Sequence, residues 1–185
     1  MRPPLFVAID HLLHDVCKAH PRFSGIKAEE ILVVSGGAWG KNVASIRSFS
    51  SCATSISIEG KERHLELCLR PLFFLEGETR SRLQILLHEL LHIDVNNPHF
   101  LDEKMRHAYK SQKLVDGEAK KILDEVIDLL PATSLGVLGF HGEAMMRSFR
   151  VRPIPETSSR IFNDDDVFLG PVQMFTDVEF RTGWW

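Results

Sequence analysis

What this sequence lacks narrows its class before any motif is read. It has no apolar run long enough for a membrane-spanning helix, which needs about 18 residues with few charges. The opening Met1-Arg2-Pro3-Pro4 leads into an apolar segment broken by Asp10, His11, His14 and Asp15, which reads as neither a signal peptide nor a span. Basic charge is not in excess: 22 Lys and Arg stand against 25 Asp and Glu, for a net charge of -3 and a pI near 6.3. Neither nucleic acid nor a membrane is therefore an expected partner. Cysteine is scarce, and Cys17, Cys52 and Cys68 are odd in number and unclustered. That pattern suggests reduced thiols in a cytoplasmic protein, and without zinc-finger spacing any metal must be held by histidine and carboxylate. Ser35-Gly36-Gly37 has no Lys-Ser pair at P-loop distance, Asn163-Asp164-Asp165-Asp166 lacks the EF-hand alternation, and no internal repeat is visible. With 44% apolar residues in 185, the chain can still bury a core as one domain.

What is present centres on His88-Glu89-Leu90-Leu91-His92, one copy of H-E-x-x-H. Residues four apart on a helix share a face, so His88 and His92 can grip one metal ion, with Glu89 beside them to act on a water. Stepping about 100° per residue from His88 puts His92 near 40°, Ile85 near 60° and Glu89 near 100°. Leu83, Leu86, Leu87, Leu90 and Leu91 cover the opposite arc as an apolar wall for the core. Ser81-Arg82-Leu83-Gln84 reads as a capping box with Ser81 as N-cap.

Around the motif the chain reads as α+β. A helix is expected from Leu5 to about His20, with Leu5, Ile9, Leu12, Leu13 and Val16 on its buried stripe and His11 and His14 on a solvated face. A buried strand follows at Glu30–Val34, and weaker strands at Val43–Phe49 and Cys52–Ile58. Glu59-Gly60-Lys61-Glu62 is read as a turn. His64–Arg70 alternates as a half-buried strand, with Leu65, Leu67 and Leu69 inward, and Pro71 either ends it or places it at a sheet edge, where an extended peptide can pair. A long amphipathic helix is expected over Lys110–Leu130, with Val115, Ala119, Ile122, Val126 and Leu129 on its stripe. Residues 1–131 form the expected domain, and 132–185 an appendage packed on it.

A catalytic zinc takes three protein ligands and keeps one position open. His99, after the reversal at Asn96-Asn97-Pro98, is the leading third ligand. Glu118 on the next helix is its rival, and Asp94, Asp102 and His107 are further options. The chemistry expected of one zinc ion so held is hydrolysis, with Glu89 taking a proton from a water as general base. Tyr109 or His107 would steady the developing oxyanion.

The run Leu86–Ile93 followed by Pro98-His99 resembles the phage-type metallopeptidases, a zincin-like family of bacteria and their phages, over about Leu5 to Leu130. The resemblance implies a small mixed or antiparallel sheet packed on the motif helix, a peptide or protein substrate, His88, His92 and His99 as zinc ligands and Glu89 as base. Two other readings stand beside it. One is a zinc hydrolase of another kind, similar to the endoribonucleases that process ribosomal RNA. The other is a non-catalytic zinc-containing module whose Met145, Met146, Trp184 and Trp185 dock a partner.

Overall fold

The computed structural model describes residues 3–37, 43–75, 77–107 and 112–176. Where the sequence is strongly periodic, its elements follow from local pattern. Helix α1 (Leu5–Ala19) buries Leu5, Ile9, Leu12, Leu13 and Val16 and leaves His11 and His14 exposed. It stops where His20, ahead of Pro21, is forced into an extended conformation (φ -132°, ψ 131°). Strand β1 (Ile31–Ser35) is buried throughout, as its β-branched run implies. Strands β3 (Ser55–Ile58) and β4 (Lys61–Glu62) form a hairpin that turns at Glu59-Gly60, both with positive φ (57° and 70°), the geometry a two-residue hairpin loop demands.

The strand before the motif corrects the expectation. Strand β5 (Leu65–Leu69) is not at an edge. It is the middle of a three-stranded sheet of order β1-β5-β2, parallel to β1 (Ile31 opposite Leu65) and antiparallel to β2 (Ala44–Ser48; Ala44 opposite Leu69). All five of its residues are buried. The alternation misleads because the face carrying Glu66 and Cys68 is covered by a second core of Leu32, Val34, Phe49, Cys52, Ile56, Ile58, Phe149 and Phe162. Glu66 survives there because Arg47 and Arg152 bond its two carboxylate oxygens, at 2.6 and 3.0 Å. Pro71 starts the short helix α2 (Pro71–Leu75), a first-turn position that needs no backbone N–H.

Helix α3 (Thr79–Leu91) carries the motif, and its leucine wall packs into the main core. Leu83, Leu86, Leu87, Leu90 and Leu91 are each at most 1% exposed. At roughly 1.5–3 kcal/mol per buried leucine, this face fixes the helix orientation far more firmly than any cap. Ser81 is not that cap. The helix begins one turn earlier, with Glu78 as its extended N-cap and no side-chain bond to it. The start of α3 is held instead by Arg82, 1% exposed, which donates to the carbonyls of Phe74 (2.7 Å), Leu138 (2.9 Å) and Phe140 (2.8 Å).

Helix α4 (Gln112–Val126) lies against α3 and buries Val115, Ala119, Ile122, Leu123 and Val126. Leu129, expected on its stripe, falls beyond its end and is exposed. Beyond it come helix α5 (Ala132–Leu135) and strands β6 (Met145–Phe149), β7 (Ile161–Phe162) and β8 (Val167–Pro171). Strands β6 and β8 pair with each other, β7 adds to β3, and Ala144, Met146, Val172 and Phe175 join the main core. Asn163 and Asp166 form a reciprocal cap on a single turn. Among the described residues the result is a mixed α+β structure of small sheets and five α-helices, and no helix is long and apolar enough to cross a membrane.

Candidate metal centre

His88 and His92 leave the core-facing wall of α3 at its last turn, where the backbone tightens so that the His92 N–H bonds the carbonyls of Glu89 and Leu90. The four-residue spacing brings their Nε2 atoms to 3.3 Å. A third imidazole completes the group: His107 Nε2 lies 3.3 Å from His88 Nε2. The chain returns His107 by a compact reversal. The Asp94 N–H donates to the Phe100 carbonyl (3.0 Å), Ile93 bridges Leu101, and the Asp102 N–H donates to the His92 carbonyl (2.8 Å). The Asp102 side chain then caps the turn Glu103–Met105, whose buried Met105 anchors the segment that ends in His107.

His99, expected in that third place, is not brought to the motif. Its Nε2 sits 3.0 Å from Glu30 Oε2 and its ring stacks on His64, so the reversal carries it to the sheet, away from α3. The other options are placed as well. Asp94 and Asp102 are occupied as caps on the N–H groups of Asn96 and Lys104, and Glu118 does not join the cluster. Tyr109 lies outside the described residues, as do Trp184 and Trp185.

Two neighbours that the sequence did not single out complete the arrangement. Asp116, from α4, accepts a hydrogen bond from His88 Nδ1 at 2.7 Å, which fixes the tautomer and leaves the Nε2 lone pair facing the other two histidines. The second is strand β2. Its Val43 carbonyl and Phe49 N–H bond across to Arg70 and His64 on the β5 side. By the alternation of an antiparallel strand, the N–H and C=O of Ala44 and Ile46 face the other way, toward α3. The Ile46 backbone hydrogen-bonds Glu89 there.

The electrostatics suit a metal. Burial, then the nearby His107, push His88 below the usual imidazole pKa, and Asp116 opposes them. His92 is pushed down to about 4 by burial and by its two histidine neighbours. Three imidazoles facing one point cannot all be protonated, and neutral imidazole is the form that binds a metal. Burial pushes Glu89 up to about 7, against the pull of the Ile46 backbone and Arg70, while Asp116 adds to the rise. The donor set fits zinc: three nitrogens and, among the described residues, no fourth histidine, cysteine or carboxylate in the group. The group opens into a cleft of about 590 Å³ between β2, α3 and the start of α4, lined also by Gln84, Ile85, Leu101, Arg106 and Gln112. No protein-family model, no curated protein and no solved structure matches this chain.

Proposed function

We propose that the protein is a zinc-dependent hydrolase of zincin-like architecture that cleaves peptide bonds, with His88, His92 and His107 holding one zinc ion and Glu89 as general base. The observation that carries this reading is the convergence of three Nε2 atoms, one ring fixed from behind by Asp116, beside a half-buried glutamate at an open cleft. Bound there, zinc would supply Lewis acidity, polarising a carbonyl and lowering the pKa of a water to about 7.

The chain's own residues supply the rest. Glu89 stands beside the three imidazoles, placed to accept a proton from water and pass it to a leaving amine. The outward edge of β2 at Ala44 is where an extended peptide would add main-chain hydrogen bonds, in place of the β5 edge expected from sequence. A closed fourth ligand would suit a structural zinc, whereas an open position beside a proton acceptor suits catalysis. The first half of the resemblance to the phage-type metallopeptidases, Leu86–Ile93, falls on this site; Pro98-His99 does not reach it. Cys17, Cys52 and Cys68 are all free and buried, which fits a reducing, cytoplasmic setting.

The test is the zinc-loaded full chain incubated with a random peptide library and, in parallel, with RNA. Peptides are cut and RNA is left intact. Glu89→Gln keeps its zinc and loses about 10²–10⁴-fold in cleavage, the range of a general base. Full peptidase activity in zinc-loaded Glu89→Gln, or cleavage of RNA alone, overturns the proposal.

A further inference from the structure

The motif histidines are not the only ones the fold gathers. Glu30, His64 and His99 each offer a ligand atom, all within 4.8 Å of one another, at the opposite side of the reversal from His107. These residues come from three separate segments, and bonds to the backbone of each place them independently of their own side chains. Strands β1 and β5 are parallel with Ile31 opposite Leu65, so Glu30 and His64 are the preceding pair, and the His64 N–H donates to the Glu30 carbonyl at 2.9 Å. The Phe49 N–H closes the other side of His64 by donating to its carbonyl at 2.8 Å. His99 is pinned from β2, where Ser48, opposite Leu65 in the ladder, donates its hydroxyl to the His99 carbonyl at 2.7 Å.

We propose that Glu30, His64 and His99 form a second metal site, for a divalent transition ion of the zinc class, which clamps the loop following the motif helix onto the sheet. Two imidazoles and one carboxylate are a donor set that zinc and its neighbours in the first transition row accept. Glu30 Oε2 and His99 Nε2 are 3.0 Å apart, a separation that two ligands of one ion can share. The other oxygen of Glu30 is held by the exposed Lys27 at 2.9 Å, which aims the carboxylate without closing the site. His64 and His99 are only partly buried, so an ion can reach them from solvent.

One rearrangement is required. The His64 and His99 rings are stacked, with centroids 3.7 Å apart and planes within 9°. In-plane lone pairs of parallel rings cannot meet at one ion, so the His64 ring must leave the stack and turn its edge inward as the ion enters. The loop spanning 94–98, between His92 and His99, is then tied to the sheet at its far end. That same loop delivers Leu101 to the cleft and leads on to His107. The second ion would therefore stiffen the path that positions the third histidine of the first site.

The inference does not rest on the hydrolase reading, and the experiment keeps the two apart. Metal-free His88→Ala/His92→Ala full chain is titrated with zinc alone. It binds one equivalent, its amides over 94–100 exchange more slowly with zinc than without, and the ring resonances of His64 and His99 shift together. Adding His64→Ala weakens that binding at least about tenfold, as removal of a direct ligand should when even supporting residues cost tenfold or more. Should the double variant not fold, the wild-type chain is used, and it loses one bound equivalent in His64→Ala and in His99→Ala. No saturable zinc in the folded double variant, or a wild-type stoichiometry unchanged by both His64→Ala and His99→Ala, overturns the proposal. Saturable binding without slowed exchange over 94–100 overturns the clamp.

Discussion

Replacing Asp116 with asparagine asks whether the carboxylate behind His88 supports a metal site or merely neighbours it. The two atoms are 2.7 Å apart, a charge-assisted distance, and such bonds contribute roughly 1.5–3 kcal/mol. An asparagine oxygen can still accept from Nδ1, and a neutral bond keeps about half the strength. The Asp116 side chain is 46% exposed, which screens the charge and favours the lower part of that range. The expected loss is about 0.8 kcal/mol, or roughly fourfold in zinc Kd, less than the 10–100-fold span seen when a residue that holds a ligand from behind is removed outright. The assay is competition for zinc against a chromophoric chelator at pH 7.5 with folded protein of both forms. Glu118→Gln, on the same helix but outside the cluster, serves as control and should stay within about twofold of wild type. If Asp116→Asn leaves the Kd unchanged, or Glu118→Gln matches its effect, the assignment of Asp116 fails.

Three further outcomes follow from the same geometry. His107→Ala should lower hydrolysis and zinc affinity at the motif by at least about tenfold, whereas His99→Ala, which loosens the loop leading to His107 but removes no motif ligand, should lower hydrolysis by less; the reverse order in a peptidase assay at saturating zinc would return His99 to the motif site. Arg82→Ala strands two buried carbonyls and a half-buried third and should cost at least about 2 kcal/mol in urea denaturation, since each buried unpaired polar group costs roughly 1–3 kcal/mol, and a loss under about 1 kcal/mol would refute its role. The metal-free protein should show opposed pH effects. His92, lowered from an ordinary 6.5 to about 4, contributes stability that is full above 6.5 and is lost as pH falls toward 4. Glu89, raised from 4.5 to about 7, contributes stability that is full below 4.5 and is lost as pH rises through 7. Removing the second effect with Glu89→Gln should make the fall in Tm between pH 7 and pH 5 steeper than in wild type, and a shallower fall would contradict the Glu89 assignment.

The parts of this fold that could be read from the sequence are those in which one element's own periodicity decides. The α1 stripe and the leucine wall of α3 needed only a helical repeat, and both faces lie where the repeat puts them. The two motif histidines share a face for the same local reason. What escaped the sequence depends on segments far apart in the chain. Glu66 alternates like a surface residue, yet Arg47 and Arg152 arrive to bury it, and with it β5 becomes the middle strand. His107 lies beyond a reversal whose closure rests on backbone pairing of Ile93 with Leu101 and of Asp102 with His92, none of which a side-chain pattern announces. A weak signal was present in Asp102-Glu103-Lys104-Met105, a capping residue followed by a buried anchor, which marks an ordered turn just before His107. Ser81 imitates a cap because a Ser-x-x-Gln pattern matches a capping box even inside a helix whose boundary is set by packing of Arg82.

The central claim, that His88, His92 and His107 hold a metal with one position left open, is tested most directly by zinc-edge anomalous diffraction from crystals of the zinc-loaded protein. The account predicts an anomalous peak with the three Nε2 atoms at about 2.0–2.1 Å and no fourth protein ligand. A peak at the motif with His107 turned away, or with a fourth side chain closing the site, would contradict it.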